Sequence, residues 1–175
     1  NVIAVQVTYG FIHSRNAGAN WHWTCEQGAL FTGSVAYDPP IGLMGDGTLI
    51  AGLFEGLIAS SPNGCDYTYA NGDINDRYAL DVSVDKKTPS RAIAVTSNGL
   101  GMNKFDTRLW STIDNADTWT QQGSALPDDF LALTCDAAPS DPNTLYLSGF
   151  HIVDASTYEG AIAKSGAWEP TAGGD

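Results

Sequence analysis

Short runs of alternating hydrophobic and polar residues recur along the whole chain, separated by segments rich in glycine, proline, asparagine and aspartate. Alternation with a period of two is typical of β-strands, and the separating residues are those that favour turns. The pattern predicts an all-β protein whose strands fall into four successive groups. The predicted strands are 1–7, 11–14 and 21–25; then 33–37, 49–54, 57–60 and 67–70; then 79–84, 92–96, 109–112 and 118–121; and finally 131–135, 145–148, 161–164 and 168–171.

One eight-residue pattern precedes the last strand of the first three groups, at 14–21, 60–67 and 112–119. Each copy reads hydroxyl, any, Asx or turn former, any, small, any, polar, aromatic. The hydroxyl and the Asx side chain can bond nearby backbone amides, the small residue permits a left-handed turn, and the aromatic residue seals the loop onto a hydrophobic body. The residues expected to hold these loops are Ser14, Asn16, Gly18 and Trp21 in the first copy, Ser60, Gly64 and Tyr67 in the second, and Thr112, Asp114 and Trp119 in the third; a shortened fourth copy ends at Trp168.

The aromatic residues that end the four copies are spaced 46, 52 and 49 residues apart. Asp38, Asp85 and Asp136 follow the first predicted strand of the last three groups and repeat the same register. A period of this length is that of a four-stranded propeller blade, and the glycine, threonine and aromatic content excludes a solenoid of helices. We therefore predict one β-propeller segment with blade boundaries near 1–28, 29–72, 73–123 and 124–175, in which the first blade lacks its innermost strand.

The repeated turn resembles the Asp-box, or BNR repeat, of sialidase-like β-propellers of the secreted bacterial type. Pro62 and Ala116 replace the usual acid and glycine in two copies. The resemblance implies the fold. It implies no particular activity, because this repeat occurs in proteins with many functions.

Propellers usually close with four to eight blades. The predicted strands therefore form either a compact four-bladed ring that lacks one strand or an arc of a larger, six- to eight-bladed ring. We expect the arc. Its open ends would expose hydrophobic edges and blade faces, so we expect another chain segment or subunit to complete the propeller.

The charge of the chain narrows the range of partners. There are 20 acidic and 8 basic residues among 175, a net charge of −12 and a pI near 4.3. Such a surface repels phosphate backbones, so we expect no nucleic-acid partner. No apolar stretch approaches the length of a transmembrane helix. The acidic, lysine-poor composition is common in secreted bacterial proteins, for which we expect a secreted, periplasmic or cell-surface location, although a salt-adapted cytosolic protein would share it.

The chain has three cysteines, so at least one thiol is free or paired with another chain. The segment 21–26 and the pair Gly64 and Cys65 resemble secreted bacterial relatives of the Asp-box type. The resemblance implies a disulfide between Cys25 and Cys65, with Cys135 buried and free. Burial of all three thiols as small apolar side chains is the alternative.

In a propeller the loops after strands two and four of each blade share one face, and ligand sites in the resembled class lie on it. Two loops of this face, 97–108 and 149–160, are long and carry apolar and aromatic residues of the kind that anchor interfaces. The candidate binding residues are Met102, Asn103, Phe105, Asp106, Phe150, His151, Asp154 and Tyr158.

These loops favour an extracellular, non-enzymatic interaction or scaffold module that binds a protein, a glycan or a neighbouring subunit. The alternative is a glycoside hydrolase of sialidase-like or xyloglucanase-like type, which needs two carboxylates across a cleft, one with a raised pKa. Asp106 and Glu159 are the candidates for that pair. Most tryptophans are assigned to the repeated turn, which leaves few to stack on sugars and favours the interaction module.

Metal and cofactor chemistry find little support in the sequence. The three histidines are widely separated, and no cysteine or histidine pair has the spacing of a zinc site. The chain also has neither a nucleophile elbow nor a glycine loop that binds phosphate. We therefore expect no metal and no cofactor.

Overall fold

The computed structural model describes residues 1–8, 10–31, 38–154, 156–164 and 167–172. In these ranges the strands form four consecutive antiparallel sheets, the first of three strands and the others of four. Each sheet runs in chain order from one edge to the other, which is the arrangement of propeller blades. We number the sheets as blades one to four.

The strands have the following bounds. Blade one contains β1 (Ile3–Val7), β2 (Gly10–Ser14) and β3 (His22–Cys25), followed by a short 3-10 helix (Gln27–Ala29); blade two contains β4 (Ile41–Leu43), β5 (Leu49–Gly52), β6 (Leu57–Ser60) and β7 (Tyr67–Tyr69); blade three contains β8 (Ala79–Val84), β9 (Ala92–Gly101), β10 (Lys104–Thr112) and β11 (Thr120–Gln121); blade four contains β12 (Phe130–Ala138), β13 (Asp141–Ile152), β14 (Tyr158–Lys164) and β15 (Ala167–Ala172). No helix of the described ranges is long and apolar enough to cross a membrane.

The hydrophobic core lies between successive blades. Phe11 of blade one packs with Ile58 of blade two, Ile50 of blade two clusters with Trp110 of blade three, and Val95 of blade three clusters with residues of blade four. Each blade therefore buries every second residue of its strands against the neighbouring blade, as the period-two pattern predicts.

Two strand predictions need correction. The list of predicted strands omits residues 41–43, which form β4 and pair with β5, with Ile41 opposite Ala51. The predicted strand 33–37 lies outside the described residues. The loops predicted at 97–108 and 149–160 are mostly strand, because β9, β10, β13 and β14 continue their pairing almost to the tips. Polar and glycine residues in these extensions concealed the alternation.

The turn at the tip of the third blade contains only Met102 and Asn103, with φ angles of 50° and 58°. Two consecutive left-handed residues are the geometry of a type I′ turn, whose twist matches that of the flanking strands. The segment is therefore a rigid β-hairpin.

The first and third repeated turns share one hydrogen-bond pattern. The amide of Gly18 donates to Ser14 Oγ at 2.8 Å and that of Asn20 to Asn16 Oδ1 at 2.8 Å. In the third turn, the amide of Ala116 donates to Thr112 Oγ1 at 3.2 Å and that of Thr118 to Asp114 Oδ1 at 3.0 Å. Gly18 and Ala116 both have the predicted positive φ.

The second repeated turn starts one residue later, at Ser61, and has a different hydrogen-bond pattern. The amide of Asp66 donates to Ser61 Oγ and that of Cys65 to Asn63 Oδ1, whereas the hydroxyl of Ser60 accepts from the amide of Leu49. The prediction that Ser60 holds this loop is therefore wrong. The physical reason is Pro62, which stands at the Asx position and has no side-chain acceptor.

The aromatic residues of the repeated turns are not equally buried. Tyr67 is 8% exposed and Trp119 is partly buried, but Trp21 is 46% exposed; the side chain of Trp168 lies outside the described residues. The expectation of equivalent buried positions is thus wrong for Trp21, which belongs to the terminal blade. The tryptophan of the core is Trp110, which is 2% exposed and donates its indole N–H to Thr96 Oγ1 at 2.9 Å.

Candidate functional site

The long hairpins of blades three and four are joined by the segment that leads into β12. The amide of Phe105 donates to the carbonyl of Asp128 at 2.8 Å, and the amide of Ile152 donates to that of Asp129 at 2.7 Å. Two side-chain contacts reinforce these bonds: an ion pair, in which Lys104 Nζ lies 2.7 Å from Asp128 Oδ1, and a histidine–carboxylate contact, in which His151 Nε2 lies 3.4 Å from Asp129 Oδ2. The structure therefore brings the two predicted binding loops together.

We call this region the hairpin surface and define it by the tip residues Leu100 and Met102 and by the bridged residues Lys104, Asp128, Asp129 and His151. Sequence reasoning placed Met102 and His151 here but gave no connecting role to Asp128 and Asp129. The sequence gives little indication of this role, since two acidic residues after a proline are also typical of an ordinary turn.

Met102 is the most exposed large hydrophobic residue of the described ranges, at 97%, and Leu100 is 62% exposed. A left-handed φ at a residue other than glycine costs about 1–2 kcal/mol, and an exposed side chain regains none of this by burial. Asn103, the other turn residue, is partly buried, as is Phe105 at the start of β10. The tip therefore presents an apolar side chain that folding does not require.

Beneath the hairpin surface, Asp106 is held between two arginines. Arg108 Nε lies 2.9 Å from Asp106 Oδ1, and Arg77 Nη2 lies 3.0 Å from Oδ2. Arg77 is 9% exposed and also donates from Nε to Thr96 Oγ1 and from Nη2 to the carbonyl of Asp106. Hydrogen bonds from Arg108 and then Arg77 hold the pKa of Asp106 below its usual value.

The other predicted carboxylates have different surroundings. Glu159 is exposed on β14, opposite His151 in the strand register. Asp154 accepts hydrogen bonds from the amide and hydroxyl of Ser156 and from the hydroxyl of Thr157, which lower its pKa and close its own turn. Its position indicates a structural role in the turn.

Phe150 and Tyr158 lie on the outward face of blade four, on the same side of the sheet as Tyr146 and Ile162. The register pairs Ile152 with Tyr158 and Ser148 with Ile162, and residues directly opposite or two apart on a strand share a face. The rings of Phe150 and Tyr158 are 6.4 Å apart, edge to face, and the side chains are 41% and 51% exposed. This face points away from the core shared with blade three.

Blade one has a similar outward face. Val5 pairs with Ile12, which pairs with Trp23, so the three side chains form a row across the sheet with Ile3 beside it. Ile3, Val5 and Trp23 are 37%, 41% and 63% exposed. We call this row and the face carrying Tyr146, Phe150, Tyr158 and Ile162 the two end faces of the arc.

All three cysteines are free thiols in the structure. Cys135 is 4% exposed, as predicted. The predicted bond between Cys25 and Cys65 is not formed, but both residues line one cleft between blades one and two, and their pairing stays a prediction. Among the described residues no group of three or more histidine, cysteine, aspartate or glutamate side chains could hold a metal ion.

No protein-family model and no curated protein matches this sequence. A GH74 enzyme from Niastella koreensis is similar with a TM-score of 0.57 and 15% identity, over 93% of this chain and 25% of that chain. An ancestral GH74 enzyme has a TM-score of 0.52 and 10% identity, over 98% of this chain and 29% of that chain. The GH74 xyloglucanase from Xanthomonas campestris has a TM-score of 0.52 and 15% identity, over 89% of this chain and 26% of that chain. At these identities the similarity establishes the fold alone, which is a partial β-propeller arc. The chain spans about a quarter of the length of these enzymes.

Proposed function

We propose that this chain is the arc of a larger, secreted β-propeller of the Asp-box type that serves as a non-enzymatic scaffold and interaction module. Its end faces pack against further blades, supplied by another chain segment or subunit, and its hairpin surface binds a protein or a glycan. The observation that carries the proposal is the exposure of aromatic and aliphatic side chains on both end faces.

The end faces have the character of blade interfaces. Within the arc, each blade buries its alternating apolar residues against the next blade. Val5 and Phe150, each 41% exposed, continue that pattern on the two end faces of the described residues. Burying apolar surface contributes roughly 25 cal/mol per Å², so a further blade at each end is the arrangement that physical chemistry favours. The GH74 enzymes support this, since about three quarters of each of those chains lies outside the match.

The hairpin surface supports the interaction role. Its tip is a two-residue turn with little conformational freedom, and the Asp128–Asp129 bridge fixes it to blade four. The backbone of this turn is already ordered, so binding a partner at Met102 restricts only the side chain. Strain at an exposed residue is a feature of functional surfaces.

The state of Asp106 argues against one role in the hydrolase alternative, that of the general acid. A general acid must hold a proton and needs a raised pKa, whereas Asp106 is an ion-paired carboxylate with a lowered pKa. Glycan remains in the proposal as a ligand class because the similar solved structures include enzymes named GH74 and a xyloglucanase. In this proposal Asp106 supports the hairpin and takes no part in chemistry.

Self-association tests the end faces. We expect the 175-residue protein to associate in a concentration-dependent way in light scattering, and Ile162→Lys to weaken that association because it places a charge on the apolar face. Ile113→Lys is the matched control, since Ile113 is 70% exposed but lies in the third repeated turn, away from both end faces. A stable monomer whose end faces bind no apolar dye would contradict the proposal.

Hydrolysis assays separate the two functional classes. We expect no release of reducing sugar from xyloglucan or sialosides by the protein in its assembled form. Turnover that disappears in Asp106→Asn or Glu159→Gln, while circular dichroism shows each variant folded at the assay temperature, would establish the hydrolase and overturn the non-enzymatic role.

A further inference from the structure

The cleft between blades one and two is separate from the hairpin surface, and one of its lining residues, Trp23, also belongs to the end face of blade one. Side chains of β2 and β3 form one wall, and the second repeated turn forms the other. Its volume is about 420 Å³, which is within the range of small-molecule sites. Both walls of the cleft belong to blades of this chain.

Arg15 stands in this cleft without an electrostatic partner. In the described part of the chain no hydrogen bond or ion pair holds its guanidinium, whereas Arg77 and Arg108 are paired with Asp106 and Arg91 donates to Asn143. Arg15 is an exposed residue, so its guanidinium is open to a ligand from solvent.

Two glycines position the guanidinium of Arg15. A methyl group placed on Gly64 would lie 2.9 Å from Arg15 Nη2 and 3.1 Å from His13 Nε2, and one on Gly47 would lie 3.3 Å from Arg15 Nη1. Both glycines have a positive φ, so larger residues are excluded by conformation as well as by space. The arginine is thus seated by the backbone of blade two.

His13 adds a second side chain with an unsatisfied polar atom. It is 8% exposed, and its Nδ1 is buried without a hydrogen-bond partner. Its ring stacks on His22 with the centroids 5.5 Å apart. Burial, then the charges of Arg15 and His22, lower the pKa of His13, so the neighbouring charges that act on it are positive.

From this geometry we infer that the cleft is an oxyanion-binding site for a carboxylate, as on an acidic sugar, or for a phosphate group. The guanidinium offers a fork of donors that matches two oxygens of such a group. The rings of His13 and His22 lie beside it and offer further polar atoms, and the positive charge of Arg15 attracts an anion. The side-chain oxygen of Asn63 is used within its own turn, which leaves its NH₂ group as a neutral donor at the cleft.

Calorimetric titration of the 175-residue protein with glucuronate, inorganic phosphate and neutral glucose tests this inference. We expect saturable binding of at least one anion and none of glucose. Arg15→Gln should weaken anion binding about tenfold or more, the effect of losing a hydrogen bond to a charged group. Arg91→Gln is the matched control: it changes the net charge equally and should bind the anion as the wild type does. Gly64→Ala should weaken anion binding, because its methyl group displaces Arg15 and His13.

An NMR titration of the histidine C2 protons provides an independent readout. The ionisable groups around His13 are Arg15 on the same segment, His22 on β3, and Cys65 and Tyr67 of blade two. A bound anion offsets the charges of Arg15 and His22, so we expect it to raise the pKa of His13. Binding of glucuronate alone would identify an acidic sugar, and binding of phosphate alone would identify a phosphate ligand. Failure of both anions to bind, or equal binding by wild type and Arg15→Gln, would overturn the site.

Discussion

The carboxylate of Asp81, on β8 of blade three, accepts a hydrogen bond from the backbone amide of Cys135, on β12 of blade four, at 2.8 Å. The other carboxylate oxygen accepts from the amide of Val82. Burial raises the pKa of Asp81 in spite of these two bonds. The side chain thus links the first strands of two adjacent blades at a point where the backbone amide of Cys135 has no strand partner on that side.

We expect Asp81→Ala to lower the free energy of unfolding by about 2–3 kcal/mol, because it leaves the buried amide of Cys135 without a partner. Ser83→Ala is the matched control, since the hydroxyl of Ser83 also spans β8 to β12, where it donates to the exposed Asp136. Its cost should stay below about 1 kcal/mol, as for an exposed bond. Urea unfolding measures both, and equal costs would show that Asp81 has no special role.

The arginine pair around Asp106 predicts a pH-dependent contribution to stability. A folded-state pKa below the unfolded value means that the stabilisation is present above about pH 4 and is lost as the pH falls through the lowered pKa. Asp106→Asn should therefore cost about 2–3 kcal/mol at pH 7, because two charges lose their partner, and less at pH 3.

Urea unfolding at both pH values tests this prediction. Asp128→Asn removes an exposed ion pair to Lys104 and should cost about 1 kcal/mol or less. A cost for Asp106→Asn that does not change with pH would rule out the charged pair as the source of the stabilisation.

Tryptophan burial predicts an order of stability effects. Trp110→Ala should destabilise the protein by about 3–5 kcal/mol, because it removes a buried ring and its bond to Thr96. Trp21→Ala should cost far less, since that side chain is 46% exposed. Thermal unfolding of the two variants gives the comparison, and a similar loss for both would show that Trp21 is covered in solution.

The predicted disulfide is tested by counting thiols. Alkylation of the unreduced, denatured protein should modify one cysteine, Cys135, if Cys25 and Cys65 are bonded. In the native protein Cys135 should resist alkylation, because its thiol is buried and burial strongly raises its pKa. Modification of three thiols after denaturation would contradict the disulfide.

The strain at Met102 predicts a stabilising substitution. Met102→Gly should raise the free energy of unfolding by about 1 kcal/mol, because glycine adopts the left-handed φ of 50° without a steric cost. Gly99→Ala in the same hairpin, where the added methyl meets no atom within 4 Å and the φ is not left-handed, is the control and should change stability little. A destabilised Met102→Gly variant would show that the methionine side chain packs in solution.

Much of the fold could be predicted from the sequence because it depends on local chemistry. The alternation of residues 79–84 predicts β8 correctly, and the hydroxyl and Asx residues of the first and third turns bond amides two to four residues away. These interactions involve neighbours in the chain, so their residues carry the signal directly. The prediction for the second turn was wrong because two adjacent serines, Ser60 and Ser61, fit the pattern. Pro62 has no side-chain acceptor, so the turn uses Ser61 and Asn63.

The tertiary structure decided the candidate site because its contacts join residues far apart in sequence. Asp106 meets Arg77 across blade three, and Asp128 meets Lys104 across two blades; no local pattern specifies either pair. The same holds for Phe150 and Tyr158, which looked like loop anchors and are residues of an end face, since a strand extended by a few residues changes which side of the sheet they occupy. The sequence by itself determined the strands, the blade repeat and the turn chemistry, whereas the packing of blade on blade determined which charges are paired, which aromatic rings are exposed and which cations remain unpaired.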